Sequence, residues 1–217
     1  MQSKTLTLVT ALMALALAVP PAEAAITPTL ISVTPNGDGT FTYTYNVDLD
    51  ADQNAMDDGA IQPTGTTPTG AGEASSAFKD YFTIYDFAGL VNNSWTQPAG
   101  WSFSFAFTGP TPSTTTPSDD PGLLNLTWIR TNGDVLGPQD LGNFSVRSVF
   151  GLVALDNYTS DATRSEGPTA GTAVASIGST NVPQVEGGRP FQVGEPGTLL
   201  LLGSGLVGLG LFRRKKN

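Results

Sequence analysis

The stretch TFTYTYNVDL, residues 40–49, alternates strictly: Phe41, Tyr43, Tyr45, Val47 and Leu49 on one side, Thr42, Thr44, Asn46 and Asp48 on the other. A period of two with β-branched and aromatic residues is the pattern of a strand with one buried face. It follows ISVTPNGDG, residues 31–39, in which Asn36-Gly37 and Asp38-Gly39 are turn-forming steps, so a short first strand and a hairpin are expected. The same chemistry recurs in YFTIYDF (81–87), WSFSFAF (101–107), LLNLTWIR (123–130) and NFSVRSVFGLVALD (143–156), and more weakly in GTAVASI (171–177). Seven to nine short strands separated by turns predict an all-β fold, an antiparallel β-sandwich. Trp128 alternates with Leu124 and Leu126 and therefore reads as core. Two segments poor in apolar residues, GAIQPTGTTPTGAGEASS (59–76) and GPTPSTTTPSDDPG (109–122), are expected as exposed loops. The composition admits one short helix over Ala74–Lys79.

The 217 residues include neither Cys nor His. No disulfide can support the fold, so stability must come from its core. Without His or Cys, the usual paired nucleophiles and His- or Cys-based zinc sites are excluded. The net charge is −9, and its distribution is uneven. Ala25 to Gly194 holds five basic and seventeen acidic residues, a net −12. Such a surface repels phosphate backbones, which argues against nucleic acid as a partner, and attracts divalent cations.

The two ends read as targeting signals. Lys4, the apolar run Leu6–Val19, the helix-breaking Pro20-Pro21 and the small-residue site Ala22-Glu23-Ala24 fit a signal peptide over residues 1–24, cut by signal peptidase after Ala24. Residues 25–190 then form the β-sandwich domain. Residues 198–212, TLLLLGSGLVGLGLF, are uncharged and apolar, and Arg213, Arg214, Lys215 and Lys216 follow in the basic tail 213–217. As a helix the run spans about 23 Å, a short transmembrane helix whose basic flank stays inside. Gly203-Ser204-Gly205-Leu206-Val207-Gly208 matches a dinucleotide-binding pattern by letter, but the strand before and the acidic residue after are missing. Small residues that let membrane helices approach each other explain it better.

A Glu-Pro step, a Leu/Gly-rich helix and a terminal basic cluster, in that order over GEPGTLLLLGSGLVGLGLFRRKK, resemble the PEP-CTERM sorting signal, which assigns residues 191–217 to a sorting segment. The resemblance implies a Gram-negative host that makes exopolysaccharide, and an exosortase-like membrane enzyme that reads Glu195 and Pro196 and releases or transfers the protein. It also implies an inner-membrane-anchored precursor bound for the cell surface or the medium. Gly194 stands where the family has its first proline, and glycine is flexible where proline is held extended. Parts of the body, such as TYTYNVDL and DYFTIYDFAGL, loosely resemble domains found ahead of this signal and bring no activity with them.

Three constellations in the body invite a chemical reading. Asp48, Asp50 and Asp52 take positions 1, 3 and 5 of a calcium loop, with Asn54 at position 7, but Gln53 replaces the turn glycine and Gly59 the bidentate acid. Ca²⁺ is the one ion this loop suggests, and no resident cofactor is expected. Trp95, in the turn-rich VNNSWTQPAG, is the tryptophan most open to stacking on a sugar ring, and exopolysaccharide would be its natural partner. The acid pairs Asp57-Asp58 and Asp119-Asp120, with Asp86 and Asp156 near strand ends, would suit a carboxylate hydrolase only if two of them faced each other across a groove. Nothing in the sequence brings them together. The expectation is a non-enzymatic exported surface or matrix protein; the alternatives are a calcium- or carbohydrate-binding adhesion module, then a secreted hydrolase.

Overall fold

The computed structural model describes residues 25–57 and 79–185. These form ten strands and no helix: β1 (Ile26–Pro35), β2 (Phe41–Leu49), β3 (Gln53–Ala55), β4 (Tyr81–Phe87), β5 (Trp101–Ala106), β6 (Leu124–Arg130), β7 (Val135–Leu136), β8 (Gln139–Ser148), β9 (Leu152–Arg164) and β10 (Ala173–Gln184). One sheet has the order β1-β2-β8; the other has seven strands in the order β5-β6-β4-β9-β3-β7, with β10 paired to β9. Every ladder between them is antiparallel. The stretch that could form a short helix and the loop 59–76 lie almost wholly outside the described residues, as do the signal segment and the C-terminal run. Among the described residues no helix is long and apolar enough to cross a membrane.

β2 behaves as its alternation predicts. Tyr43, Tyr45, Val47 and Leu49 are buried and Asp48 is exposed. The hairpin to β1 turns at Gly37 and Gly39, both at positive φ, where the lack of a Cβ removes the steric cost. Its tyrosines also solve a polar problem. Tyr43 Oη donates to the carbonyls of Phe150 (3.1 Å) and Leu152 (3.0 Å), and Tyr45 Oη to that of Asn181 (2.9 Å). Each ring thus fills the core while its hydroxyl ties the three-stranded sheet to a segment of the other sheet or the turn leading to it.

Residues of both sheets share one core cluster. Its centre is Phe82, fully buried on β4. Its ring stacks on Trp128 of β6 (5.1 Å between centroids, 16° between planes) and meets Trp101 of β5 and Phe144 of β8 edge-on. Phe144 comes from the three-stranded sheet, so this contact crosses the interface. Trp128 is core, as its alternation predicts.

Four expectations need correcting. NFSVRSVFGLVALD is not one strand: the chain breaks after Ser148, whose hydroxyl accepts from the Phe150 amide and donates to the Ala88 carbonyl, and it resumes as β9. β1 is longer than a short opening strand, ten residues with a bulge at Leu30/Ser32, and its prolines are tolerated because it lies at a sheet edge. β10 runs twelve residues where only a weak candidate was visible, because its Ser, Thr, Gly and Asn content hides a strand that is held by its pairing with β9. The segment 109–122 is not simply exposed: Gly109, Pro110 and Pro112 are buried against the outer face of β4. That face is polar, so a segment with little apolar surface can seat there through hydrogen bonds. Thr83 Oγ1 (3.1 Å) and Tyr85 Oη (3.2 Å) donate to the Pro110 carbonyl, and Tyr85 Oη also meets Thr111 Oγ1 (2.6 Å) and Thr159 Oγ1 (3.1 Å). All seven residues of β4 are consequently buried.

Candidate functional site

The sorting residues Gly194, Glu195, Pro196, Arg213 and Arg214 lie outside the described residues. The remaining candidates are in the body.

Asp48 ends β2 with an exposed side chain, opposite Asp140 of β8, and Asp50 is exposed in the turn that follows. Asp52 is engaged: its Oδ2 takes an ion pair from Arg164 (2.7 Å) and its Oδ1 accepts from Gln53 Nε2 (2.9 Å). Asn54 sits on β3, and its Oδ1 is buried with no hydrogen-bond partner. Among the described residues no group of three acidic side chains is placed to hold a metal ion.

Trp95 is half-buried, held by a loop that is pinned to β8 at Leu90↔Ser148 and Thr96↔Ser145. Its indole lies 4.6 Å from the Phe103 ring at 30°, and 6.1 Å from Phe105. The alternation of β5 puts Trp101, Phe103 and Phe105 on one face, and Phe107 continues the row past the strand end. Burial falls along it: Trp101 is in the core, Phe105 is 40% exposed and Phe107 56%. The result is an aromatic surface at the sheet edge, with Trp95 packed against its middle. Sequence reading found Trp95 but missed the row, which the alternation of WSFSFAF encoded.

The structure does bring two carboxylates into hydrogen-bond reach, with the charges of two more acting on them, although not in a metal-holding arrangement. A bulge in the β4–β6 pairing, between Ile84 and Phe87, sets Asp86 at φ 55°, a left-handed conformation that aspartate tolerates better than most residues. Its amide donates to Asn125 Oδ1 (3.0 Å), which helps hold that geometry. The Asp86 carboxyl accepts from the Asp120 amide (2.8 Å) and lies within hydrogen-bond reach of Asp156 on β9, with Asp119 close by. Burial, reinforced by the charges of Asp156, Asp119 and Asp120, pushes Asp86 up to about 7, against the pull of the Asp120 amide. Burial and the charge of Asp119 likewise push Asp156 up to about 6. Two carboxyls in contact cannot both ionise cheaply, so this pair shares a proton near neutrality.

The cations of the described body are committed elsewhere. Arg147 pairs with Asp38, and Arg164 with Asp52. Arg130 donates to the carbonyls of Gly133 (2.6 Å) and Ala99 (3.4 Å) and covers the Trp101 ring at 5.6 Å, while Lys79 bonds the Asp57 carbonyl. Asp57 is engaged elsewhere, its carboxylate accepting from the Gly133 amide (2.7 Å), and Asp58 lies outside the described residues. The convergence of Asp86 with Asp156 across seventy residues depends on the β4–β9 register and had no signal in the sequence.

Comparison with known families places the PEP-CTERM protein-sorting motif at residues 192–215. No curated protein and no solved structure matches the chain.

Proposed function

We propose, with residues 192–215 a PEP-CTERM protein-sorting motif, that the chain is an exported surface or extracellular-matrix protein. Its all-β body is the cargo and its tail is the address. The motif supports sorting by exosortase to the cell surface. In finer detail, signal peptidase removes residues 1–24, and residues 198–212 hold the precursor in the inner membrane of a Gram-negative cell with the basic tail inside. Exosortase then cuts near Glu195-Pro196. The body is non-enzymatic in this reading. In its support, the Asp86 and Asp156 carboxyls lie within hydrogen-bond reach of each other, whereas retaining glycosidases hold theirs about 5 Å apart and inverting ones wider.

The single observation that carries the proposal is the ordered tail: Glu-Pro, short apolar run, basic cluster. Its test is a pair of tail variants in the native host. E195A with P196A should leave the protein in the membrane fraction, and G194P, which restores the first proline of the motif, should raise the released fraction. Equal release from all three would refute processing at this site.

A second reading has its own support. The aromatic row Phe103, Phe105 and Phe107 beside Trp95 is a surface suited to stacking on sugar rings, which favours an adhesion module that holds exopolysaccharide. Calcium at Asp48, Asp50, Asp52 and Asn54 would belong to the same adhesive reading and would require Asp52 to leave Arg164.

A further inference from the structure

The segment after β5 is attached to the seven-stranded sheet in two different ways. Its first part is seated on the sheet, with Gly109, Pro110 and Pro112 buried, and the hydroxyls of Thr83 and Tyr85 hold it by the Pro110 carbonyl. It fits closely, since a Cβ on Gly109 would lie 2.7 Å from Thr83 Cγ2. Its far part, 118–122, is exposed. Three contacts join that part to the strands: the Ser118 amide to Asn157 Oδ1 (2.7 Å), Asn125 Nδ2 to Asp119 Oδ1 (3.0 Å) and the Asp120 amide to Asp86 Oδ1 (2.8 Å). All three fall at or beside the carboxylates around the Asp86–Asp156 pair.

We propose that residues 109–122 form a proton-gated strap, whose far end is seated on the sheet while the Asp86–Asp156 pair holds a proton and lifts when both carboxyls are charged. Asp86 belongs to β4, Asp156 to β9, and Asp119 and Asp120 to the strap itself, so strands and strap bring the same sign of charge to one place. β6 contributes Asn125, which carries no charge, and the nearby Tyr85 is pushed up to about 12 by burial and stays neutral. The charges that act on Asp86 and Asp156 are those of carboxylates, and the cations of the described body are engaged elsewhere. When the shared proton leaves to solvent, no cation among the described residues pairs with the fourth negative charge. The Asp120 amide does favour a charged Asp86, but burial and three neighbouring carboxylates outweigh it.

The lifting itself is inexpensive. The far end gives up only polar contacts, those of the Ser118 and Asp120 amides and the Asp119 carboxylate on exposed residues, and water replaces their lost partners where it could not replace apolar contacts. A segment held by polar contacts and one shared proton is therefore a local unit that can open while the aromatic core stays intact. Linkage sets the size of the effect. With Asp86 at about 7 in the seated state and at its ordinary value of 3.8 when released, opening becomes about tenfold more favourable between pH 6 and pH 8.

The test is hydrogen exchange of the full chain in detergent, followed by mass spectrometry at pH 6 and pH 8. EDTA is present so that no divalent cation replaces the proton, and rates are corrected for the intrinsic pH dependence of exchange. Peptides covering 113–123 should lose about tenfold protection at pH 8, while peptides from the β9–β10 ladder should not change. D86N should abolish the difference and keep the strap seated at both pH values, since asparagine tolerates positive φ and retains the oxygen that accepts from Asp120. D156N is the second variant and should act alike if D86N folds poorly. Equal protection at both pH values, a loss that persists in both variants, or a parallel loss in β9–β10 would overturn the proposal.

Discussion

Replacing Phe82 by alanine tests whether a body with no disulfide rests on its aromatic centre. The ring is fully buried and joins Trp128, Trp101 and Phe144 at centroid distances of 5.1, 5.8 and 5.2 Å. Truncating a buried phenylalanine costs about 3–5 kcal/mol, transfer and cavity together. Each aromatic pair adds about 0.5–1.5 kcal/mol beyond burial, and three are lost at once, which places F82A near the top of that range, at about 4–5 kcal/mol. The site has little room to collapse, because the neighbours are rigid rings contributed by three other strands. Against a typical domain stability of about 5–15 kcal/mol, such a loss leaves the variant marginal. In urea, with a slope of about 2 kcal/mol/M, the midpoint should drop by about 2 M. F82L, which keeps most of the apolar volume but loses the ring contacts, should cost about 1–2 kcal/mol. The assay is urea unfolding read by far-ultraviolet circular dichroism as well as tryptophan fluorescence, because the substitution alters the surroundings of Trp128 directly. A midpoint lowered by less than about 0.5 M at unchanged slope would refute the claim that the two sheets are held through this residue.

Three further outcomes follow from other parts of the molecule. G178V should destabilise by about 1–3 kcal/mol in the same assay, because a Cβ there would lie 2.6 Å from the ring of Tyr158. Thermal stability should fall from pH 5 to pH 8: carboxyls raised to about 7 and about 6 favour the fold when protonated, so their contribution is complete below about 4 and lost as pH climbs through 6–7. Asp38, held down to about 2 by hydrogen bonds from Thr40 and Arg147, acts in the opposite sense but only in acid below about pH 4, outside that window. If the adhesion reading holds, F107A should weaken retention on the host's exopolysaccharide in a pull-down while changing stability by less than about 0.5 kcal/mol, since the side chain is 56% exposed.

What the sequence disclosed depended on whether the information was local. β2, with five apolar residues at strict alternation, carries its own face assignment, and Trp128 carries its own burial. The tail is equally local, three ordered parts within twenty-five residues. β3 and β7 pair only with strands distant in sequence and are three and two residues long, too short for any period to show. β10 is a strand by partnership with β9 more than by composition. The segment 109–122 reads as an exposed loop from its low apolar content, whereas its seat is a row of hydroxyls that accept a polar segment. Asp86 and Asp156 looked unremarkable for a related reason. In the sequence each stands in an ordinary strand pattern, and only the register across β4 and β9, with the bulge that turns Asp86 to positive φ, makes them a pair. Long-range register is a property of the assembled sheet, and a single strand does not contain it.

The central claim is that the tail is an address that gets used. The measurement that bears on it most directly is the intact mass of the protein from its native host, with membranes and medium analysed separately. The account predicts a species in the medium that begins at Ala25 and ends near Glu195. A protein recovered only from membranes, with Asn217 still in place, would contradict it.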